Sequence, residues 1–266
     1  MFRACMFRAC SVAAALGLAA LMLGQSGGAA AQASAPDVAA FLAGRSKDCP
    51  GCNLAGAKLK RRDLTGANLA GANLSEASFH RAQLRGANLS GADLTNANLN
   101  KTSLLQANLS NAKMKGAMLF EAEAGGANFS GADLTEALMG SIRLPRGRLE
   151  RANLTEADLE AAQLDDAIFA QATLSGANLH QVRMLRANLR GALAESTDFT
   201  QANMREVNLQ GALLRQSIFY LADLGVADMS TADLSYTVLR SANLANANES
   251  GAIFTGALMP DNTVHP

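Results

Sequence analysis

From Leu54 to Met259 every fifth residue is large and apolar, and the phase never slips. Of the 42 positions in that register, all but Ala124, Ala194 and Glu249 are Leu, Phe or Met. Two residues before each stands a small residue, alanine in 32 of the 42. A fixed short period decides the architecture before any local signal does. Five matches neither the helical period near 3.6 nor the strand period of 2. The apolar spacing alternates two and three residues, as in Ala67, Leu69, Ala72 and Leu74. A straight strand sends such residues to opposite faces, whereas a chain that bends after every unit keeps them all inside. Four bends close a square coil of twenty residues, and coils stack at strand spacing, roughly 4.8 Å. The expected fold is an all-β rod of about ten coils, on the order of 50 Å long.

In this reading the small residue points inward near each corner and the Leu, Phe or Met fills the centre. Polar residues face water. Glycine two residues past the central Leu, as at Gly66, Gly71, Gly86 and Gly91, suits a turn with positive φ. Tandem units such as Ala67-Asn68-Leu69-Ala70-Gly71 and Ala132-Asp133-Leu134-Thr135-Glu136 resemble the pentapeptide-repeat family over residues 52–261. The resemblance implies a right-handed quadrilateral β-helix. It does not imply one function, because a fold hosts many.

Residues 1–33 read as a secretory signal peptide. Arg3 and Arg8 precede an apolar run from Ser11 to Leu23, too short for a comfortable membrane span, and Ala31-Gln32-Ala33 offers a cleavage site. The doubled Met-Phe-Arg-Ala-Cys makes Met6 a second candidate start. These features predict a periplasmic or secreted protein. Residues 34–51 form an N-terminal cap, with a short helix after Pro36-Asp37 whose apolar side is Val38, Ala39, Phe41 and Leu42. A solenoid needs such a cover over its first coil. Cys49-Pro50-Gly51-Cys52 follows, the only cysteines beyond the signal. In an oxidising compartment Cys49 and Cys52 read as a local disulfide, with a redox-active pair and free thiols as the other readings. The family resemblance makes this motif an N-cap of exported members. Residues 262–266 read as a loose tail.

Stepping by twenty from Asn68 gives a column containing Asn68, Asn88, Asn108, Asn128, Asn188, Asn208 and Asn248. Stacked amides can hydrogen-bond along the axis, so the column reads as a structural ladder, with a ligand strip as the minor reading. Pro145, Ile142 and Gly147 predict a bend or widened corner at 140–148. Ala124 and Ala194 predict slack in the core. Leu193 and Leu213 fall on the outward phase as an apolar pair, and Glu249 falls inward, in the last coil. Lys58, Lys60, Arg61 and Arg62 form the one basic run, without interleaved aromatics.

Chemistry is hard to place on this chain. Its three histidines, His80, His180 and His265, are far apart, and no nucleophile–base constellation, phosphate loop or metal motif occurs. No enzyme activity, cofactor or nucleic-acid binding is expected. Without residues 1–33 the chain holds 21 basic and 23 acidic residues of interspersed sign. The reading is an exported scaffold that binds a protein, an envelope component or its own copy. The family resemblance also offers mimicry of duplex DNA toward type II topoisomerases. Mimicry wants a cytosolic and strongly acidic rod, and a signal peptide with near-neutral charge argues against it. A thiol–disulfide role for Cys49 and Cys52 is the remaining alternative.

Overall fold

Every side of the coil is three residues long: a small inward residue, an outward residue and a large inward residue. The computed structural model describes residues 37–266 and places those sides in register twenty residues apart. Parallel bridges run without a break from Asn53↔Asn73 to Val238↔Leu258. Four sides therefore close each coil, as the period of five requires. The signal-peptide reading lies outside the described residues.

The interior is dry. The central residues are buried from Leu54 to Leu239, and so are nearly all of the alanines two positions before them. Where a hydroxyl replaces the alanine, it finds a carbonyl. Thr102 Oγ1 donates to Phe79 O at 2.9 Å, and Thr197 Oγ1 donates to Leu174 O at 2.8 Å. A buried hydroxyl without such a partner would cost about 1–3 kcal/mol. Phe199 and Phe219 stack in adjacent coils, with centroids 4.9 Å apart.

Each corner is a four-residue turn closed by one bond, such as Ala72 N–H to Leu69 O at 3.1 Å. The third turn residue has positive φ at all 42 corners from residue 51 to residue 256, the mark of a type II turn. Glycine fills only 14 of these corners, so 28 other residues are held in the left-handed region. Val226 (φ 61) and Thr231 (φ 58) are β-branched, the class least suited to it.

The register holds through the Pro145 region. Leu144, Ile142 and Met139 are fully buried, and bridges Glu123↔Arg143, Arg143↔Gln163 and Arg148↔Ile168 keep the register. Pro145 is the second residue of its turn, where a φ near −65° is wanted and the backbone N–H has no partner in the stack. Gly147 stands at a small position, and a Cβ there would lie 2.4 Å from Leu144 side-chain atoms. Leu144 thus fills the volume that an alanine methyl takes elsewhere. Ala124 and Ala194 are fully buried within unbroken register.

Both ends are covered in specific ways. Helix α1 (Val38–Leu42) is capped by Asp37, whose carboxylate accepts from Ala40 N–H at 2.9 Å. Phe41 is fully buried and Val38 half-buried, but Ala39 and Leu42 face solvent and do not belong to the buried side. Arg62 stands where other units carry alanine. Its guanidinium lies 4.9 Å from the centroid of the Phe41 ring and donates to Phe41 O at 2.7 Å. Asp48 Oδ1 accepts from Asn68 N–H at 2.7 Å, replacing the carbonyl of a coil that is not there. At the other end the tail is tied back rather than loose. Leu258 and Val264 pair antiparallel, and Met259 N–H donates to Thr263 O at 2.8 Å. Glu249 lies in this final coil and is exposed.

Two stability outcomes follow. Leu154→Asp places an unpaired charge at a fully buried position and should cost roughly 3–5 kcal/mol in denaturant unfolding. An unchanged midpoint would mean that the inward phase is misassigned. Val226→Gly relieves a left-handed β-branched residue and should stabilise by about 1 kcal/mol. A lower melting temperature for this variant would show that the Val226 side chain contributes more than its backbone costs.

Candidate interaction surface

The stack converts sequence spacing into four faces. Outward residues at 53, 73, 93 and so on form the first face. Those at 58, 78 and 98 form the second, those at 63, 83 and 103 the third, and those at 68, 88 and 108 the fourth. The asparagine column lies on the fourth face. Asn88, Asn108 and Asn128 each donate Nδ2–H to the Oδ1 of the asparagine one coil before, at 3.3, 3.4 and 3.3 Å. Arg148 and Ile168 then interrupt the column. Asn188 and Asn208 cap their own turns, and Asn248 donates to Asp228 at 3.0 Å. Four of the seven asparagines are joined in one run.

A second bond on these residues has a more general role. In a typical unit, the N–H groups of Ala87, Asn88, Leu89 and Gly91 all find backbone carbonyls, and only that of Ser90 does not. Asn88 Oδ1 accepts it at 3.2 Å. All 22 Asn and Asp residues at outward positions 53 to 248 make this same bond to the residue two ahead. The A-[N/D]-L signature thus records a hydrogen-bond requirement. Its restriction to the two residue types with a short side-chain acceptor was the available sequence signal.

Cys49 and Cys52 belong to the first turn of the coil itself. Cys49 N–H donates to Asn68 O at 2.8 Å, as a central residue does, and Cys52 N–H closes the turn onto Cys49 O at 3.2 Å. Both are buried, with Cα atoms 5.4 Å apart and the sulfurs placed as a disulfide across the corner. The β-helix thus begins one unit earlier than residue 52. Among the described residues no group of three His, Cys, Asp or Glu side chains is placed to hold a metal. His80 and His180 share a column five coils apart.

Surface troughs follow the corners where side chains are short. One of about 560 Å³ is lined by Gln106, Gly126, Pro145, Arg146, Asp165 and Arg186. Both of its carboxylates are engaged: Arg186 Nε meets Asp166 at 2.8 Å, and Arg183 meets Asp165 at 2.6 Å, while Arg146 makes no ion pair among the described residues. The Arg186 guanidinium holds the Asp166 carboxyl below the ordinary aspartate range. The trough presents no convergent unpaired donors.

The exposed apolar residues are placed less evenly. On the second face Ile218, Val238 and Leu258 bridge one another in three successive coils. Tyr220 and Tyr236 flank them; Ile218 and Tyr236 are 38% and 54% exposed, while Val238, Leu258 and Tyr220 are half-buried. The Tyr236 ring lies over Gly256, where a Cβ would approach within 2.6 Å. The Arg240 guanidinium lies 5.8 Å from the Tyr220 ring centroid. Leu193 and Leu213 bridge on the adjoining first face, both exposed. A smaller patch on the second face joins Met118, Phe120 and Leu138. Polar residues Asp158, Asn178 and Asp198 separate the two patches. Contiguous exposed apolar surface of this kind marks contact sites more often than single leucines do.

The Pentapeptide repeats family model matches in eight copies over residues 52–91, 87–123, 148–181, 183–219 and 222–259. The chain belongs to the pentapeptide-repeat family, and its fold is that family's right-handed quadrilateral β-helix. It is similar to HetL, a pentapeptide repeat protein involved in heterocyst differentiation regulation in the cyanobacterium Nostoc. The identity is 26% over 86% of this chain and 98% of that one, with a TM-score of 0.54. QnrB1, a plasmid-mediated fluoroquinolone resistance protein, matches at 22% identity over 67% of this chain and 83% of that one, with a TM-score of 0.36. A pentapeptide repeat protein of the Arabidopsis thaliana thylakoid lumen matches at 32% identity over 38% of this chain and 71% of that one, with a TM-score of 0.23. No curated protein matches the chain.

The turn-capping carboxylates carry a pH outcome. Hydrogen bonds from Thr95 and Ser230 hold Asp93 and Asp228 below the ordinary aspartate range. A depressed folded-state pKa gives stability that is complete above the unfolded value and lost as pH falls through the folded value. Melting temperature should therefore fall on acidification below about pH 4. Asp93→Asn with Asp228→Asn keeps both turn acceptors and should flatten that fall. An unchanged acid profile would mean that these carboxylates do not contribute to it.

Proposed function

We propose that this chain is an exported, non-catalytic interaction scaffold whose second face docks a protein partner. The column Ile218, Val238 and Leu258, flanked by Tyr220 and Tyr236, carries the reading. It is apolar at its centre, aromatic at its edges and held rigid by the coils beneath it. Aromatic and arginine anchors dominate protein interfaces, and a preformed face loses little conformational entropy on binding. The family's members include regulators such as HetL, and an interior filled by its own side chains leaves the surface to carry function. Export rests on the character of residues 1–33, and a Cys49–Cys52 disulfide fits that compartment. Mimicry of duplex DNA finds no support in a surface with 21 basic against 23 acidic residues beyond residue 33.

A photo-crosslinking side chain at position 236, introduced in the native host, tests the docking face. One predominant protein adduct is expected, and it should be lost when Ile218→Lys and Val238→Lys are combined in a variant that still melts normally. The purified partner should bind this variant at least about tenfold more weakly. Adducts no different from those of a probe at position 108, on the fourth face, would remove the assignment. Intact mass after cell fractionation tests export. A periplasmic or secreted species lacking the residues up to Ala31 or Ala33, gaining two hydrogens on reduction, is expected. A full-length cytosolic species with free thiols would overturn it.

A further inference from the structure

We infer that the N-terminal end of the rod docks on an anionic lipid surface. The inference does not rest on the second-face reading, because it uses the opposite end of the rod and a different chemistry. In sequence Lys58, Lys60, Arg61 and Arg62 form a short run, but the structure redistributes them. Arg62 turns in to hold α1 and leaves the surface set. Stacking then adds residues from the next coil. Arg61 N–H donates to His80 O at 3.0 Å, which sets Lys60 and Arg61 beside His80 and Arg81 at one corner. Lys58 lies next to them on the second face, and Arg85 lies across the third. Lys58, Lys60, Arg61, Arg81 and Arg85 are all exposed. None of them makes an ion pair among the described residues. Asp63, the nearest carboxylate on the third face, is already held by Lys47 at 2.8 Å.

The charge of the whole rod points the same way. Residues 37–85 hold eight Lys and Arg against four Asp and Glu, a surplus of +4. Residues 86–266 hold thirteen against nineteen, a deficit of −6. The chain is near neutral in sum and strongly polar along its axis. A negative lipid surface attracts the first two coils and repels the rest, which orients the rod as well as binding it. The cations are lysine and arginine at the rim of a rigid end, without stacking aromatics, which suits a layer of phosphates and not a base-reading site. Docked in this way, the end that carries Ile218 and Tyr236 projects away from the membrane.

The test is flotation of the full chain with vesicles of phosphatidylcholine alone or mixed with phosphatidylglycerol. The two vesicle types differ in net surface charge; Arg3 and Arg8 beside the apolar run at Ser11–Leu23 also favour the charged one, so the corner variants carry the assignment. Tighter binding to the mixed vesicles is expected, and it should weaken at high salt. The combined variant Lys60→Glu, Arg61→Glu and Arg81→Glu should lose roughly a hundredfold on mixed vesicles, from about fivefold per cation. Glutamate already occupies the corner position of Arg61 and Arg81 at Glu76 and Glu121, both with positive φ, and the position of Lys60 at Glu150 and Glu160, so the variant retains a tolerated turn. Arg146→Glu, Arg151→Glu and Arg190→Glu make the same charge change further along the rod and should have far less effect. Equal binding to both vesicle types would overturn the inference. Equal loss in the two triple variants would overturn it too, because net charge would then be the cause. Binding of soluble polyphosphate or DNA with no preference for anionic vesicles would also overturn it.

Discussion

One backbone N–H in every five has no carbonyl to meet, and the rest of the structure is arranged around that shortage. The other four are satisfied within the stack: two reach the next coil, one reaches the preceding coil, and one closes the turn. The remaining N–H belongs to the second turn residue, which faces outward at the corner. Burying or abandoning such a group costs about as much as a lost hydrogen bond. The chain meets the shortage in several ways. At 22 corners an Asn or Asp two residues earlier supplies a side-chain oxygen, at Phe120 and Leu185 the oxygen comes from Asn100 and Asp165 of the coil before, and at others a proline removes the donor. Pro50, Pro145 and Pro260 all stand at this position, which is why the stack accepts them without a break in register.

The same turn explains a cost that the fold carries throughout. A left-handed third residue is mandatory at each corner, and most corners do not use glycine. Each non-glycine residue there gives up about 1–2 kcal/mol of backbone preference. The stack can carry this because each coil shares backbone bonds with two neighbours and buries large side chains at its centre. Stability is thus cooperative between coils. It is weakest where a coil lacks a neighbour, so the ends need substitutes. Asp48 replaces a carbonyl, Phe41 covers the first layer, Arg62 pins Phe41, and the tail at 263–265 pairs beside Leu258.

The phase, the coil length, the inward residues and the capping helix were legible because all are properties of a five-residue period and its ends. Arguments from residue character alone did less well. Pro145 was expected to bend the rod because proline lacks a donor, yet only the full hydrogen-bond pattern shows that the donor is not needed there. The column from Asn68 reads as a ladder along the axis, and Asn68, Asn88, Asn108 and Asn128 form one, but residue character does not show the more general bond, which each such residue makes to its own corner. Leu42 was assigned to the buried side of α1, but five helical residues bury only Phe41 fully. Leu193 and Leu213 were visible as an exposed pair. The larger group on the second face was not, because Ile218, Tyr236 and Leu258 are separated in sequence and meet only after a twenty-residue register is applied to every column.

That register determines what kind of function such a chain can hold. The interior repeats and is closed, so side chains there are constrained by volume and contribute nothing distinctive at the surface. Outward positions carry little packing constraint, and 18 of the 40 from 53 to 248 hold residues other than Asn or Asp. Chemistry can therefore vary along the rod without disturbing the fold, and in this chain it varies in a directed way. Unpaired cations gather in the first two coils, a run of amides follows on the fourth face, and apolar and aromatic groups gather in the last coils of the second face. A globular domain converges its functional groups into a cleft. A solenoid can separate them by known multiples of the coil rise, about 4.8 Å, and hold the separation fixed. The basic end and the apolar patch lie about eight coils apart, roughly 40 Å at that rise. The two proposed contacts would sit at that separation on one rigid body, which is the geometry of a spacer between two partners.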